Sequence, residues 1–549
     1  MTGAAPTPAD VKAMLADGGE IALLDVREEG VHTQGHPFYA APMPLSRMEL
    51  SLTRRVPRRD TRVVLIDDDG GELANRAAAR MAELGYTNVA IMAGGLEAWR
   101  EAGHVVFSGV HVPSKAFGEY VEHHYGTPHL NAPALRNLMA SGRDLIVLDS
   151  RPLDEFRVMN IPTGIDCPGA ELAYRVHDLA PDPNTLVVVN CAGRTRSIIG
   201  AQSLINAGIP NQVLALENGT MGWHLAGLEL EHGNENHAPE PSPAGLEKAK
   251  ACAASAAERF EVPTCAKADL ATWQADTSRT LYLLDVRTAD EYAAGHLPGS
   301  LHAPGGQLVQ STEMWCATLG ARVVLVDDTG VRARMTASWL VQMGWDAHVL
   351  DGALDGEKLE TGMPPALPPG IGAAAGNTVT PAELKKLVDA GDAVVVDFAL
   401  SSQYKRRHIP GAFWAVRARL PNSLPKLPGD GTIVFTSPDG IVATLAAPEA
   451  SELTDRTIAV LEGGTDAWRA AGHDLAEGLE NTIDETDDVW LKPYDHDDGP
   501  VEKHMRAYLA WELDLVNEIE RDGDHRFRLF VDPADEPHDD DDDEDDDDD

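Results

Sequence analysis

Short apolar runs ending on a polar residue recur along the chain, each followed by an amphipathic stretch and then a glycine-containing pair. The runs LLDVR, VLDSR, LLDVR and VVVDF place Asp25, Asp149, Asp285 and Asp397 at corresponding positions. A second set, VVLID, VVVNC, VVLVD and IVFTS, ends at Asp67, Cys191, Asp327 and Ser437. The two markers are 42, 42, 42 and 40 residues apart in successive copies, a regularity that identifies an internal repeat. A third marker completes each copy: Gly94-Gly95 with Trp99, Asn218-Gly219 with Trp223, Asp351-Gly352, and Gly463-Gly464 with Trp468. A run such as LVVVN suits a parallel strand covered on both faces, and the following SIIGAQSLINAG reads as an amphipathic helix stopped by Gly208. Strands alternating with helices predict an α/β fold in which each copy is a domain with a mainly parallel sheet flanked by helices.

The expected domains are 1–108, 109–232, 262–362 and 376–478, followed by a helical extension over 479–531 and a disordered acidic tail over 532–549. Residues 232–250 and 362–377, rich in Pro, Gly or polar residues, read as extended linkers. Residues 106–127 contain SKAFGEYVEHHY, a candidate helix joining the first two copies, and VEKHMRAYLAWELDLVNEIERDG predicts a helix in the C-terminal extension.

Composition adds exclusions. With 549 residues the chain is too long for one core, and no run of about 18 apolar residues offers a membrane span. The N-terminal segment has neither a basic region nor an apolar one, so a cytoplasmic protein is expected. The net charge is −43, and without the 13 acidic side chains of residues 535–549 it is still −30, which disfavours nucleic acid as a partner. The tail itself reads as a solvated run, with metal-ion or basic-protein binding as the alternative. Five cysteines without a C-x-x-C pair predict neither a disulfide framework nor a metal site, and no cofactor is expected.

The candidate chemistry lies in Cys191-Ala192-Gly193-Arg194-Thr195-Arg196-Ser197, between a strand and a helix start. Helix N-terminal N–H groups and the two arginines favour a thiolate there and form a cradle for an anion, with Gly193 letting the loop curl. The LDSRPLDEF stretch, the CAGRTRS loop and the ENGTMGW segment, in this order and spacing, resemble the rhodanese family. The resemblance covers nearly all of residues 1–478 and implies four tandem rhodanese-like domains with one intact active-site loop. It implies that Cys191 takes the outer sulfur of thiosulfate or a similar donor as a persulfide and passes it to cyanide, a thiol or a protein acceptor. Ala192, Gly193, Arg194, Thr195, Arg196 and Ser197 would bind the donor, and Asp149 and Arg151, the family's Asp-x-Arg element, would brace the loop. 3-Mercaptopyruvate and a persulfide stay open as donors.

The other three copies lack the thiol. Asp67 stands at the cysteine position with Glu72 in place of Arg196, an anionic loop expected to repel thiosulfate; Asp327 stands there with Arg332 retained; Ser437 has no base nearby in sequence. Cys167 is either a resolving thiol or a core residue, and His296 and His408 in Gly-His-x-Pro-Gly-like segments suit turns. Two rival readings remain: a noncatalytic sulfur relay or scaffold, and a cysteine phosphatase or arsenate reductase on a related fold. The latter loops enclose five residues between Cys and Arg, whereas Cys191 and Arg196 enclose four.

Overall fold

The structure, a computed structural model, describes residues 5–530 apart from 365, 366, 370 and 372–375. Each first-marker run forms a strand, Ala22–Asp25, Leu145–Asp149, Leu281–Asp285 or Ala393–Asp397. Each pairs in parallel with the second-marker strand of its own copy, Val63–Ile66, Leu186–Asn190, Arg322–Val326 or Thr432–Thr436. The markers share one register: Asp149 lies opposite Asn190, and Asp25, Asp285 and Asp397 lie opposite the residue that precedes each second-marker position, in the fourth copy across a connection two residues shorter.

In the second copy the strand order is His129–Leu130, Val213–Leu216, Leu186–Asn190, Leu145–Asp149, Ile165–Asp166. The fourth copy repeats it with Asn377–Val379, Ile458–Leu461, Thr432–Thr436, Ala393–Asp397 and Phe413–Trp414. The first copy has four strands, ordered Ala41–Pro42, Ala22–Asp25, Val63–Ile66, Val89–Ile91. In the third, Leu281–Asp285 pairs with Leu301–His302 and Arg322–Val326, and Thr264–Cys265 pairs with Asp346–Leu350. All of these pairings are parallel, and helices cover the sheets, as expected of four α/β domains.

Alternation within the strands explains burial on both faces. In the second copy Leu148, Val187 and Val189 face Leu172, Val176, Ala201 and Leu204, while Val147, Leu186 and Val188 face Leu135, Ile161 and Trp223. Because every residue of Leu186–Asn190 is buried, the run is apolar without polar alternation up to Asn190.

The described chain gathers into two compact units. One comprises the described residues of 5–115, 266–326 and 353–525; the other comprises 116–265, 327–352 and 526–530. Within the first, the C-terminal helix Val501–Asp522 buries Met505, Leu509, Leu515 and Ile519, and its buried Glu512 accepts a 2.7 Å ion-paired hydrogen bond from Lys115. The acidic tail from 532 lies outside the described residues. No described helix is long and apolar enough to cross a membrane.

The expected linker over 232–250 is corrected. Its second half starts the 17-residue helix Pro243–Arg259, in the second unit. Ser242 caps this helix by accepting from Gly245 N–H at 3.0 Å, and Pro243 occupies its first turn, so the same Ser and Pro that suggested a spacer serve as a start signal. Ala249, Ala253 and Ala256 form a buried stripe of small side chains, against which the helices Leu172–Leu179 and Val331–Gln342 pack. The candidate joining helix is observed as Val112–Tyr125.

One buried acid in the first unit has a measurable consequence. Ser46 Oγ donates to Glu28 at 2.9 Å, but burial dominates and pushes the Glu28 carboxyl up to about 7. The folded state therefore holds a proton that the unfolded chain releases near the ordinary glutamate value, so this stabilising contribution is complete at low pH and is lost as pH rises through about 7. Glu28→Gln is expected to be more stable than the parent at pH 8, on the order of 2 kcal/mol, and to show no gain at pH 4. Thermal unfolding of both proteins across that range checks this.

Candidate active site

Cys191 follows the strand Leu186–Asn190 at its carboxyl end, and the helix Thr195–Asn206 begins four residues later with Arg194 as its N-cap. The thiol is 2% exposed, while Ala192 and Arg196 beside it are partly exposed. Its S–H donates to Ser197 Oγ at 3.5 Å, and Ser197 Oγ–H donates onward to the Arg194 carbonyl at 2.8 Å. The loop carbonyls are held from a neighbouring element: Thr220 N–H donates to Cys191 O at 2.9 Å and Met221 N–H to Ala192 O at 3.0 Å. Among the described residues, the Ala192 and Gly193 N–H groups donate to no protein acceptor.

The glycine that permits this arrangement is not the expected one. Gly193 has no positive φ; the left-handed residues are Asn218 (φ 60°) and Gly219 (φ 52°). A β-carbon on Gly219 would lie 2.3 Å from Cys191 O and 2.9 Å from Gly193 O. The third marker is therefore the contact point of the cysteine loop, and Gly95 and Gly464 approach Asp67 O and Ser437 O in the same way. Gly219→Ala is expected to displace the loop, lowering kcat/KM for sulfur transfer roughly 10- to 100-fold. Far-ultraviolet circular dichroism should stay unchanged.

Asp149 and Arg151 lie behind the loop, both buried. Asp149 accepts two hydrogen bonds from the Arg151 guanidinium, each 2.8 Å, and one from Asn190 Nδ2 at 2.7 Å. Arg151 also donates to Met159 O at 2.7 Å. Ser150 Oγ–H spans Asn190 O at 2.8 Å and Arg196 O at 3.2 Å. Asp149 thus touches the residue adjoining the nucleophile, and Ser150 touches both ends of the loop.

Both arginines expected to favour the thiolate and attract a donor are paired with carboxylates. Arg194 is buried and forms a bidentate pair with Glu119 at 2.9 and 2.7 Å, with Glu122 as a further partner. Arg196 forms a bidentate pair with Glu155 at 2.9 and 2.8 Å. Burial opposes the Arg196 charge, yet Glu155 and, beyond it, the Cys191 sulfur and Asp149 outweigh burial and hold the guanidinium above its usual range. Of the two, Arg196 is the one partly open to solvent, while Arg194 anchors the loop to the helix Val112–Tyr125. Thr195 is buried against that helix, its Cγ2 2.6 Å from where a β-carbon on Gly118 would sit.

The remaining candidates are also placed. Cys167 is fully buried in the core, and burial pushes its thiol well above the ordinary range. His296 and His408 stack on Tyr292 and Tyr404 with ring centroids 3.9 Å apart. In the second copy Asn160 takes that position and donates to Ile161 O at 2.8 Å.

The three other loops are filled by their own side chains. The Asp67 carboxylate accepts from Gly70 N–H at 2.5 Å and Ala74 N–H at 2.9 Å. Asp327 accepts from Arg332 N–H at 2.9 Å and Ala333 N–H at 3.3 Å, and Ser437 Oγ accepts from Ala443 N–H at 3.4 Å. The two carboxylates do not project outward as repelling charges; each sits where an anion would, against amides at a helix start. Arg332 is wholly buried among Asp327, Asp328 and Glu171 and lies 4.5 Å over the Tyr174 ring.

Sequence reasoning missed Glu119, Glu122, Glu155 and Asn190. Glu119 and Glu122 are three apart and so share one helix face, which was the available signal. The described residues that bring three potential metal ligands together, His496, Asp498 and His504, belong to the other unit.

The geometry agrees with what the chain resembles. A family model described as rhodanese-like domain matches residues 7–102, 131–226, 266–358 and 380–471. A solved structure described as thiosulfate sulfurtransferase from Pseudomonas aeruginosa is 47% identical over 95% of this chain and 99% of its own, with a TM-score of 0.92. An HTH-type transcriptional regulator of Mycobacterium tuberculosis (strain ATCC 25618 / H37Rv) is 31% identical over 90 residues, 16% of this chain, and the match spans 39% of that relative's length. With four matched copies on four parallel-sheet domains, the chain belongs to the rhodanese-like domain family.

Proposed function

We propose that the chain is a thiosulfate sulfurtransferase working through a persulfide on Cys191. The observation that carries this is the second-copy loop, where a thiol replaces the carboxylate or hydroxyl of the other copies and the Ala192 and Gly193 amides keep their donors unused by protein. Cys191 sulfur, having released its proton, attacks the outer sulfur of thiosulfate. The new S–S bond forms as the old one breaks, and sulfite leaves with the electron pair. Cyanide or a thiol then attacks the terminal sulfur, and the pair returns to Cys191. The Ala192 and Gly193 amides steady the charged terminal sulfur, and Arg196 adds positive charge nearby, moderated by Glu155. Asp149, Arg151 and Asn190 keep the loop at the strand end, and Arg194 holds its shape through Glu119. The copies carrying Asp67, Asp327 and Ser437 are noncatalytic in this reading, and the setting is cytoplasmic with a small anionic donor.

Initial rates of thiocyanate formation, with thiosulfate varied at several cyanide concentrations, test the two-step scheme. Parallel double-reciprocal lines are expected. Lines converging to a common intersection would require both substrates to be bound together and would overturn the covalent relay.

A further inference from the structure

The entry to the C-terminal helix holds an arrangement that hydrogen bonding does not explain. His496 and Asp498 lie on the loop before the helix Val501–Asp522, and His504 lies in its first turn. The chain bends at Asp498-Gly499, and one ligand-type atom from each of the three residues falls within 4.8 Å of the other two. Asp498 Oδ1 is 3.1 Å from His504 Nε2 and 3.6 Å from His496 Nδ1. The two imidazole rings are parallel within 6°, their centroids 4.0 Å apart. Yet His504 Nε2, a buried atom, has no hydrogen-bond partner among the described residues, despite the carboxylate oxygen 3.1 Å away.

The in-plane lone pairs of two parallel rings do not converge, so the three ligand atoms share one ion once the partly exposed His496 ring turns out of the stack. With bonds of roughly 2.0–2.2 Å, two ligands of a tetrahedral ion stand about 3.3–3.5 Å apart. The two Asp498 separations bracket that range, and Asp498, 72% exposed on its side chain, is free to adjust its rotamer. Two imidazoles with one carboxylate suit zinc or a similar transition ion and not calcium or magnesium, which take all-oxygen sets. Asp495 and Asp497 nearby supply further negative charge to attract a dication.

We propose that His496, Asp498 and His504 bind a divalent transition ion of the zinc class, with water completing the coordination. The ion joins the loop to the first turn of the helix. Its role is that of a staple: the same helix buries Met505, Leu509, Leu515 and Ile519 and holds Lys115 through Glu512. An ion bound by the folded form alone stabilises the helix in its seat by mass action.

The test uses full-length protein stripped with a chelator and titrated with zinc by calorimetry, alongside thermal unfolding with and without zinc. Wild type is expected to bind one equivalent more tightly than His504→Ala, by at least about tenfold, and to gain Tm with zinc where the variant does not. Asp498→Asn, an exposed change that spares the fold, should weaken the same equivalent by a similar factor. Cobalt in place of zinc distinguishes this site from the cysteines, since imidazole and carboxylate give visible bands without the intense thiolate charge transfer. Equal stoichiometry, affinity and Tm gain in wild type and both variants, or a thiolate spectrum from the tight equivalent, would place the metal on the cysteines or the acidic tail and overturn the proposal.

Discussion

Cys191→Ser is expected to abolish sulfur transfer, whereas Asp67→Ala, Asp327→Ala and Ser437→Ala, assayed per folded molecule, should stay within about twofold of wild type. The asymmetry follows from chemistry at equivalent positions. A serine hydroxyl is far too weakly acidic to attack a sulfane sulfur unassisted, and a carboxylate cannot carry a transferable persulfide. The exchange leaves the fold intact because Ser197 Oγ, 3.5 Å from the thiol, can accept from a hydroxyl in its place. Removing Asp67 opens a cradle that holds no nucleophile. Removing Asp327 leaves Arg332 paired with Asp328 and Glu171, so the cost is stability and not chemistry. Thiocyanate formation at saturating thiosulfate checks all four variants, and loss of activity in Ser437→Ala would refute a single-site enzyme.

Asp149→Ala is expected to destabilise the second domain by about 3–5 kcal/mol, because Arg151 would remain buried without its carboxylate. The Arg151 side chain is 3% exposed, its Nε and Nη2 both bind Asp149, and Nη2 also reaches Met159 O. Asn190 Nδ2 loses its acceptor at the same time, so the residue before the nucleophile is released. Urea unfolding should show an earlier midpoint with the slope unchanged. Activity should fall with it, even at temperatures where the variant is folded. Asp149→Asn, which keeps an acceptor but not the charge, should fall between the two.

Much of the fold was legible because parallel pairing imposes a fixed register. In every copy the first-marker Asp pairs with the residue before the second marker, Asp149 with Asn190 and Asp25, Asp285 and Asp397 likewise, so the two apolar runs recur together at nearly the same spacing. Doubly covered strands such as Leu186–Asn190 announce themselves as unbroken apolar runs. The helix Pro243–Arg259 was hidden because its first residues use Ser242 and Pro243 as a cap, and its buried face is made of alanines, which carry little hydrophobic signal.

At the candidate site, the loop and its supporting Asp-x-Arg element were readable as a local motif, but the charge balance was not. Arg194 and Glu119 are 75 residues apart and Arg196 and Glu155 are 41 apart, so only the folded chain reveals that each guanidinium has a carboxylate partner. Gly193 drew attention by lying inside the loop, whereas the conformational demand falls on Gly219, which touches the loop from another element. The anionic character of the Asp67 loop was readable, but not which way its side chain turns; the amides at the helix start draw the Asp67 carboxylate inward, as they do that of Asp327.

The most direct test of the central claim is the intact mass of the full-length protein after exposure to thiosulfate, for wild type and Cys191→Ser. The account predicts a gain of about 32 Da on wild type alone, erased by cyanide with release of thiocyanate. An equal gain on Cys191→Ser, or turnover by wild type with no sulfur-loaded species detectable before cyanide is added, would contradict it.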